Sequence, residues 1–120
     1  MIKSFKDLIA WQKSIDLAET IYKQTSTYPK EELFGLVNQL RRAAVSVSSN
    51  IAEGFGRNSR KEKDQFYAIA YGSLLEVESQ IIISEKLGYI KSPSHLFGQI
   101  VECQKVLSGL RKSNKERLDS

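Results

Sequence analysis

Residues 51–70, IAEGFGRNSRKEKDQFYAIA, decide how the chain doubles back on itself. Gly54 and Gly56 are able to end one helix, and Ser59-x-x-Glu62 is a capping box able to start the next, each side chain satisfying a backbone N–H of the first turn. So short a turn makes its two helices antiparallel neighbours. Upstream, a helix from near Lys30 to about Gly54 carries Glu31 and Glu32 at its positive end and the apolar stripe Leu33, Leu36, Val37, Leu40, Ala44, Val47 and Ile51. Downstream, a helix from about Arg60 to Leu87 shows Phe66, Ile69, Ala70, Ser73, Val77 and Ile81 on one side and ends at Gly88.

Further out, Leu8, Trp11, Ile15, Ala18 and Tyr22 step by three and four along Asp7 to about Thr27, an amphipathic helix. Ser4 and Asp7 approximate a capping box before it, and Tyr28-Pro29 stops it, since the residue before proline avoids the helical region. At the other end Ser92 can cap and Pro93 can open a fourth helix with the stripe Leu96, Ile100, Cys103, Leu107 and Leu110. The tail after Leu110, RKSNKERLDS, is expected to fray. Four helices joined by short loops predict an all-α fold, an antiparallel up-down-up-down four-helix bundle forming a single domain over residues 1–120.

Composition agrees with a packed domain: 41% of residues are hydrophobic, 27% are charged, and only two prolines and seven glycines interrupt them. The single cysteine, Cys103, has no intramolecular disulfide partner and falls on an apolar helical face, which reads as core. The start, MIKSFKDLIAWQ, lacks the apolar run of an export signal, and no stretch approaches the roughly 20 apolar residues of a membrane span, so a cytoplasmic protein without membrane contact is expected. A net charge of +4 favours acidic partners such as nucleic acid without requiring them.

Chemistry finds little foothold. His95 is the only histidine, and the H-x-x-x-H, C-x-x-C, G-x-S-x-G and phosphate-loop patterns are absent. Glu76 and Glu78 are two apart and point in different directions, unlike the inward Glu-x-x-His sites of di-iron bundles. No catalytic residue, metal ligand or cofactor is expected, and the chain reads as one that binds.

Two features exceed what a bundle core needs. On the second helix Gln39, Arg42, Ser46, Asn50 and Glu53 form one polar stripe beside the apolar one, which is either a solvated face, a hydrogen-bonded contact between helices or subunits, or a ligand site. Glu76 or Glu78 would be the natural partner of Arg42. On the third helix Tyr67, Tyr71, Leu75 and Ile82 make a second apolar side, which either tucks deeply into the bundle or, the preferred reading, joins copies of the chain. Basic residues concentrate twice, as Arg57, Arg60, Lys61 and Lys63 around the central turn and as Lys105, Arg111, Lys112, Lys115 and Arg117 on the last helix. Taken singly such lysines keep a helix soluble; repeated around a symmetric oligomer they sum to a positive field.

The segments FKDLIAWQKSIDLAETIYKQT, YPKEELFGLVNQLRRAAVSVSSNIAEGFGR and YAIAYGSLLEVESQIIISEKLGYI resemble the four-helix-bundle proteins encoded by intervening sequences in bacterial 23S ribosomal RNA genes. The likeness covers about Phe5 to Ile90 and is most specific in QLRRAA-x-S-x-x-x-NIAEG-x-GR and GSLLE-x-ES. The family commonly carries proline, a residue that bends helices, where this chain has Ser48. The resemblance implies a homopentamer, a label of ribosomal protein drawn from gene location, and kinship with the basic, nucleic-acid-associated accessory variability proteins of diversity-generating retroelements. Its polar signature falls on Gln39, Arg42, Ser46, Asn50, Glu53 and Glu76, which it assigns to assembly. The leading expectation is a non-enzymatic homo-oligomer that binds nucleic acid, RNA foremost, through Arg57, Arg60, Lys61, Lys63, Lys105, Arg111, Lys112 and Lys115. The alternative is a structural adaptor that binds a protein partner without touching nucleic acid.

Overall fold

A computed structural model describes residues 1–119, with side chains through residue 116. Its four long helices are α1 (Ile9–Thr25), α2 (Asn38–Phe55), α3 (Arg60–Lys86) and α4 (Ser94–Asp119), and there is no strand among the described residues. α2 and α3 share the largest contact, α4 packs on α3, and α1 closes the ring against α2 and α4. The pairs Gln39–Gln80, Ser46–Ser73 and Phe55–Lys63 descend α3 as they ascend α2, so those two helices are antiparallel. Glu78–Gln104 and Asp64–Arg111 set α3 against α4 in the same sense. The 27 residues of α3, at about 1.5 Å each, account for most of the 50 Å long axis of a molecule only 24 × 21 Å across.

The core holds most of the stripes read for α2 and α4: Leu36, Val37, Leu40, Ala44, Val47 and Ile51 together with Leu96, Ile100, Cys103 and Leu107 are buried, and Leu110 is partly buried against them. Each large side chain hidden this way contributes on the order of 1.5–3 kcal/mol before entropy is subtracted. Four stripe positions are corrected. Leu33 and Ile69 are about half exposed, and α1 buries Ala10, Ser14, Leu17, Ile21 and Thr25 in place of Ile15 and Tyr22. α1 begins at Ile9 because Leu8 is extended (φ −75°, ψ 126°) and separates it from a 3-10 turn at Phe5–Asp7. The Ser4–Asp7 capping box closes that turn. Ala10 and Ser14 are small enough for close approach, while Ile15 and Tyr22 flank the contact.

Between α1 and α2 the chain passes through a 3-10 turn (Lys30–Glu32) and a π-helical turn (Leu33–Val37), with a kink at Gly35 (φ −110°, ψ −111°). Glu32 Oε1 accepts from Leu36 N at 3.2 Å and lies 2.9 Å from where a Cβ on Gly35 would sit. The second helix therefore starts eight residues after Lys30, and its bend lies at Gly35; Ser48 sits in unbroken helix, its hydroxyl donating to Val45 O at 3.0 Å. α3 opens with Ser59 accepting from Glu62 N at 3.1 Å. It closes at Gly88 (φ +80°), where Tyr89 N donates back to Ser84 O at 2.9 Å, an arrangement that satisfies end carbonyls. α4 continues past Leu110 through Asp119.

Candidate nucleic-acid interface

Because α3 and α4 run oppositely, the start of α3 lies beside the end of α4, and the two basic runs of the sequence meet at one end of the bundle. Lys61, Arg111, Lys112 and Lys115 line one shallow groove with Asp64, Gln65 and Ser108. Arg111 Nε donates to Asp64 Oδ1 at 3.0 Å, a pairing that fixes α4 on α3. Lys61, Lys112 and Lys115 are exposed and make no ion pair among the described residues. Four cations against one carboxylate leave the groove positive.

Other basic residues expected here are held elsewhere. Arg57 pairs with Glu53 Oε2 at 2.9 Å and stacks over the Phe66 ring at 4.4 Å. Arg60 is half-buried, with Nη1 3.4 Å from Asn114 Oδ1. Lys63 donates to Phe55 O, and burial, helped by the neighbouring Arg60 charge, lowers its pKa. Lys105 is exposed on α4 but does not line the groove. The side chain of Arg117 lies outside the described residues.

Asn114 is the polar residue that sequence reasoning missed. It is buried, and its Nδ2 donates to Arg60 O at 2.8 Å, clamping the last turns of α4 onto the first of α3. The signal was its place seven residues beyond Leu107, on the same stripe.

The polar stripe of α2 faces α3. Ser46 and Ser73 hydroxyls are 2.9 Å apart, Asn50 Nδ2 donates to Ser46 O at 2.8 Å, and Gln80 Nε2 donates to Gln39 Oε1 at 3.3 Å. Gln39, Arg42, Ser46, Glu76 and Gln80 line one groove of about 440 Å³. Glu53 lies beyond it, paired with Arg57. Arg42 forms no ion pair with Glu76 or Glu78 among the described residues, and Glu78 instead accepts from Gln104 at 3.1 Å. Gln80 Oε1 is enclosed without a hydrogen-bond partner.

The second apolar side of α3 divides. Tyr67, expected at a face between copies, is 2% exposed and packs in the chain's own core, where a Cβ on Gly54 would come within 2.8 Å of its ring. Leu75 and Ile82 stay exposed at 48% and 43%, with half-buried Tyr71 beside them. Glu78 lies on that same stripe and bonds to α4, so the stripe runs along the α4 flank of α3, away from the polar groove.

No helix among the described residues is long and apolar enough to cross a membrane. Residues 6–109 match the family model described as 23S rRNA-intervening sequence protein. No curated protein matches the chain.

Proposed function

Starting from the chain's membership of the 23S rRNA-intervening sequence protein family, we propose that it is a non-enzymatic, homo-oligomeric four-helix bundle, a pentamer as its resemblance implies, that binds nucleic acid, foremost RNA. The observation that carries the reading is the end groove where Lys61 joins Arg111, Lys112 and Lys115. Its ammonium groups would contact phosphates without reading bases, releasing the counterions condensed on the nucleic acid. Repetition around a ring would multiply that field. The one thiol is a poor candidate nucleophile: burial pushes Cys103 up to about 12, which keeps the enclosed sulfur protonated.

Self-association is supported by two α3 flanks that one chain leaves unfinished. Leu75 and Ile82 expose apolar surface, while the α2–α3 groove holds Arg42 and Glu76, which have no ion-pair partners among the described residues, and an enclosed Gln80 oxygen lacking a donor there. A second copy could supply both opposite charges at once.

For a single-stranded RNA the logarithm of affinity should fall linearly with the logarithm of salt. Replacing Lys61, Lys112 and Lys115 together with glutamine should flatten that slope by roughly 2, each phosphate contact contributing about 0.7. Binding that is absent, or unchanged between 50 and 200 mM salt, a range over which roughly six to ten phosphate contacts would cost about 10³–10⁵ in affinity, sinks the reading. A partner protein retained after nuclease treatment would favour the adaptor.

A further inference from the structure

Beneath the N-terminal segment, at the same end of the bundle, lies a cavity of about 450 Å³. Its lining combines the polar side chains of Arg60, Lys63, Tyr67 and Asn114 with the apolar ones of Leu8, Phe55 and Leu110, and the Lys63 ammonium lies 5.1 Å from the centre of the Phe55 ring. Arg60, Lys63 and Tyr67 are spaced by three and four, so two cations extend the core-facing stripe of α3 that continues into Ala70 and Leu74. Neither cation has a carboxylate within ion-pair distance among the described residues. The Lys63 ammonium has one donor committed to Phe55 O and the Arg60 guanidinium one to Asn114, which leaves N–H groups on both. Tyr67 is 2% exposed, and its hydroxyl makes no hydrogen bond among the described residues. Two half-buried cations without a carboxylate, beside a phenol hydroxyl that opens on the cavity, leave donors that a bound anion would satisfy.

A second cavity of about 310 Å³ adjoins the first, sharing Ile2, Leu8 and Leu110, and continues between α1 and α4 to Ile9 and Val106. Its lining is apolar apart from Asp7. A cationic end leading into an apolar slot matches a ligand with an anionic head and a hydrocarbon tail. We infer that this end of the bundle binds a single-chain amphiphilic carboxylate, its two oxygens taken by Arg60, Lys63 and the Tyr67 hydroxyl and its tail lying along Ile9 and Val106. The Arg60 fork suits a two-oxygen head. The site uses neither the lysine groove nor the exposed flanks of α3, so it stands or falls independently of nucleic-acid binding and of assembly.

Isothermal titration of the full chain with decanoate, below its micelle concentration, is the test, with decanol and acetate as probes of tail and head alone. Decanoate should bind one per chain with a Kd on the order of 0.1 mM or tighter, and decanol and acetate at least about tenfold more weakly. Tyr67→Phe keeps the ring that fills the space beside Gly54 and removes only the hydroxyl; it should weaken decanoate about tenfold. Ile9→Glu alters an exposed position and places a charge in the slot, so it should weaken decanoate while leaving the thermal melt unchanged. Decanol binding as tightly as decanoate, several decanoates per chain, or an affinity indifferent to both substitutions would overturn the assignment.

Discussion

Gly54 and Tyr67 show how little room a single atom has where α2 meets α3. A Cβ at Gly54 would lie 2.8 and 2.9 Å from the Tyr67 ring and 3.0 Å from the backbone oxygen of Lys63. Overpacking of this kind costs about 1–3 kcal/mol, more than the ~1 kcal/mol by which alanine outdoes glycine inside a helix. Gly54→Ala should therefore lower the urea midpoint, whereas Gly72→Ala, with nothing within 4 Å, should raise it through a stabilisation of up to about 1 kcal/mol; the same sign for both would show that helix propensity alone governs these sites. Cys103 makes a second residue-scale prediction. Burial raises its thiol from an ordinary 9.0 to about 12, so above pH 9 the unfolded chain loses this proton and the folded chain keeps it. The stability linked to that proton is intact below pH 9 and drains away as pH rises toward 12. Tyr28 and Tyr67, raised chiefly by burial, act in the same direction, so the diagnostic quantity is the difference between wild type and Cys103→Ala, whose denaturation midpoint should fall less between pH 8 and 10.

At the scale of elements, the ends of α3 were the most legible part of the chain. Ser59 and Gly88 occupy the cap positions that their chemistry favours, since a hydroxyl satisfies an early N–H and glycine accepts φ near +80°, while Glu62 offers its backbone N–H to Ser59 and its side chain makes no return bond among the described residues. Ser59→Ala should destabilise the protein by about 1 kcal/mol and Ser59→Asp by much less; equal loss for both, measured by urea denaturation, would mean that the hydroxyl does not act as a cap. α1 and the entry to α2 were read less well. Spacing alone located an amphipathic α1, but which of two adjacent stripes turned inward depended on Leu8 breaking the helix and on Ala10 and Ser14 permitting close packing. The kink at Gly35 is stabilised by a side chain reaching back from Glu32, a contact without a periodic signature.

For the whole molecule, antiparallel packing turns two distant basic runs into one groove and distributes the remaining apolar surface along α3. Leu75→Glu places a charge at a site 48% exposed in the single chain, where a surface substitution shifts stability by no more than about 0.5 kcal/mol. If copies associate through this flank, that variant should show a smaller mass than wild type by light scattering while its circular dichroism is preserved, because the carboxylate would have to enter an apolar contact. An unchanged mass removes Leu75 from any interface. The candidate groove was half legible: Lys61, Arg111, Lys112 and Lys115 were all named from the sequence, but so were Arg60 and Lys63, which the fold turns inward.

The sequence by itself determined the four helices, the central turn and its cap, and most of the stripes that form the core, because periodicity and capping are local properties carried by residues within one or two turns of each other. Tertiary structure alone decided that Tyr67 is core, that Asn114 clamps α4 to α3, and which cations face solvent. Those outcomes depend on the distance between side chains up to 54 positions apart in the chain, set by how closely one helix can approach another.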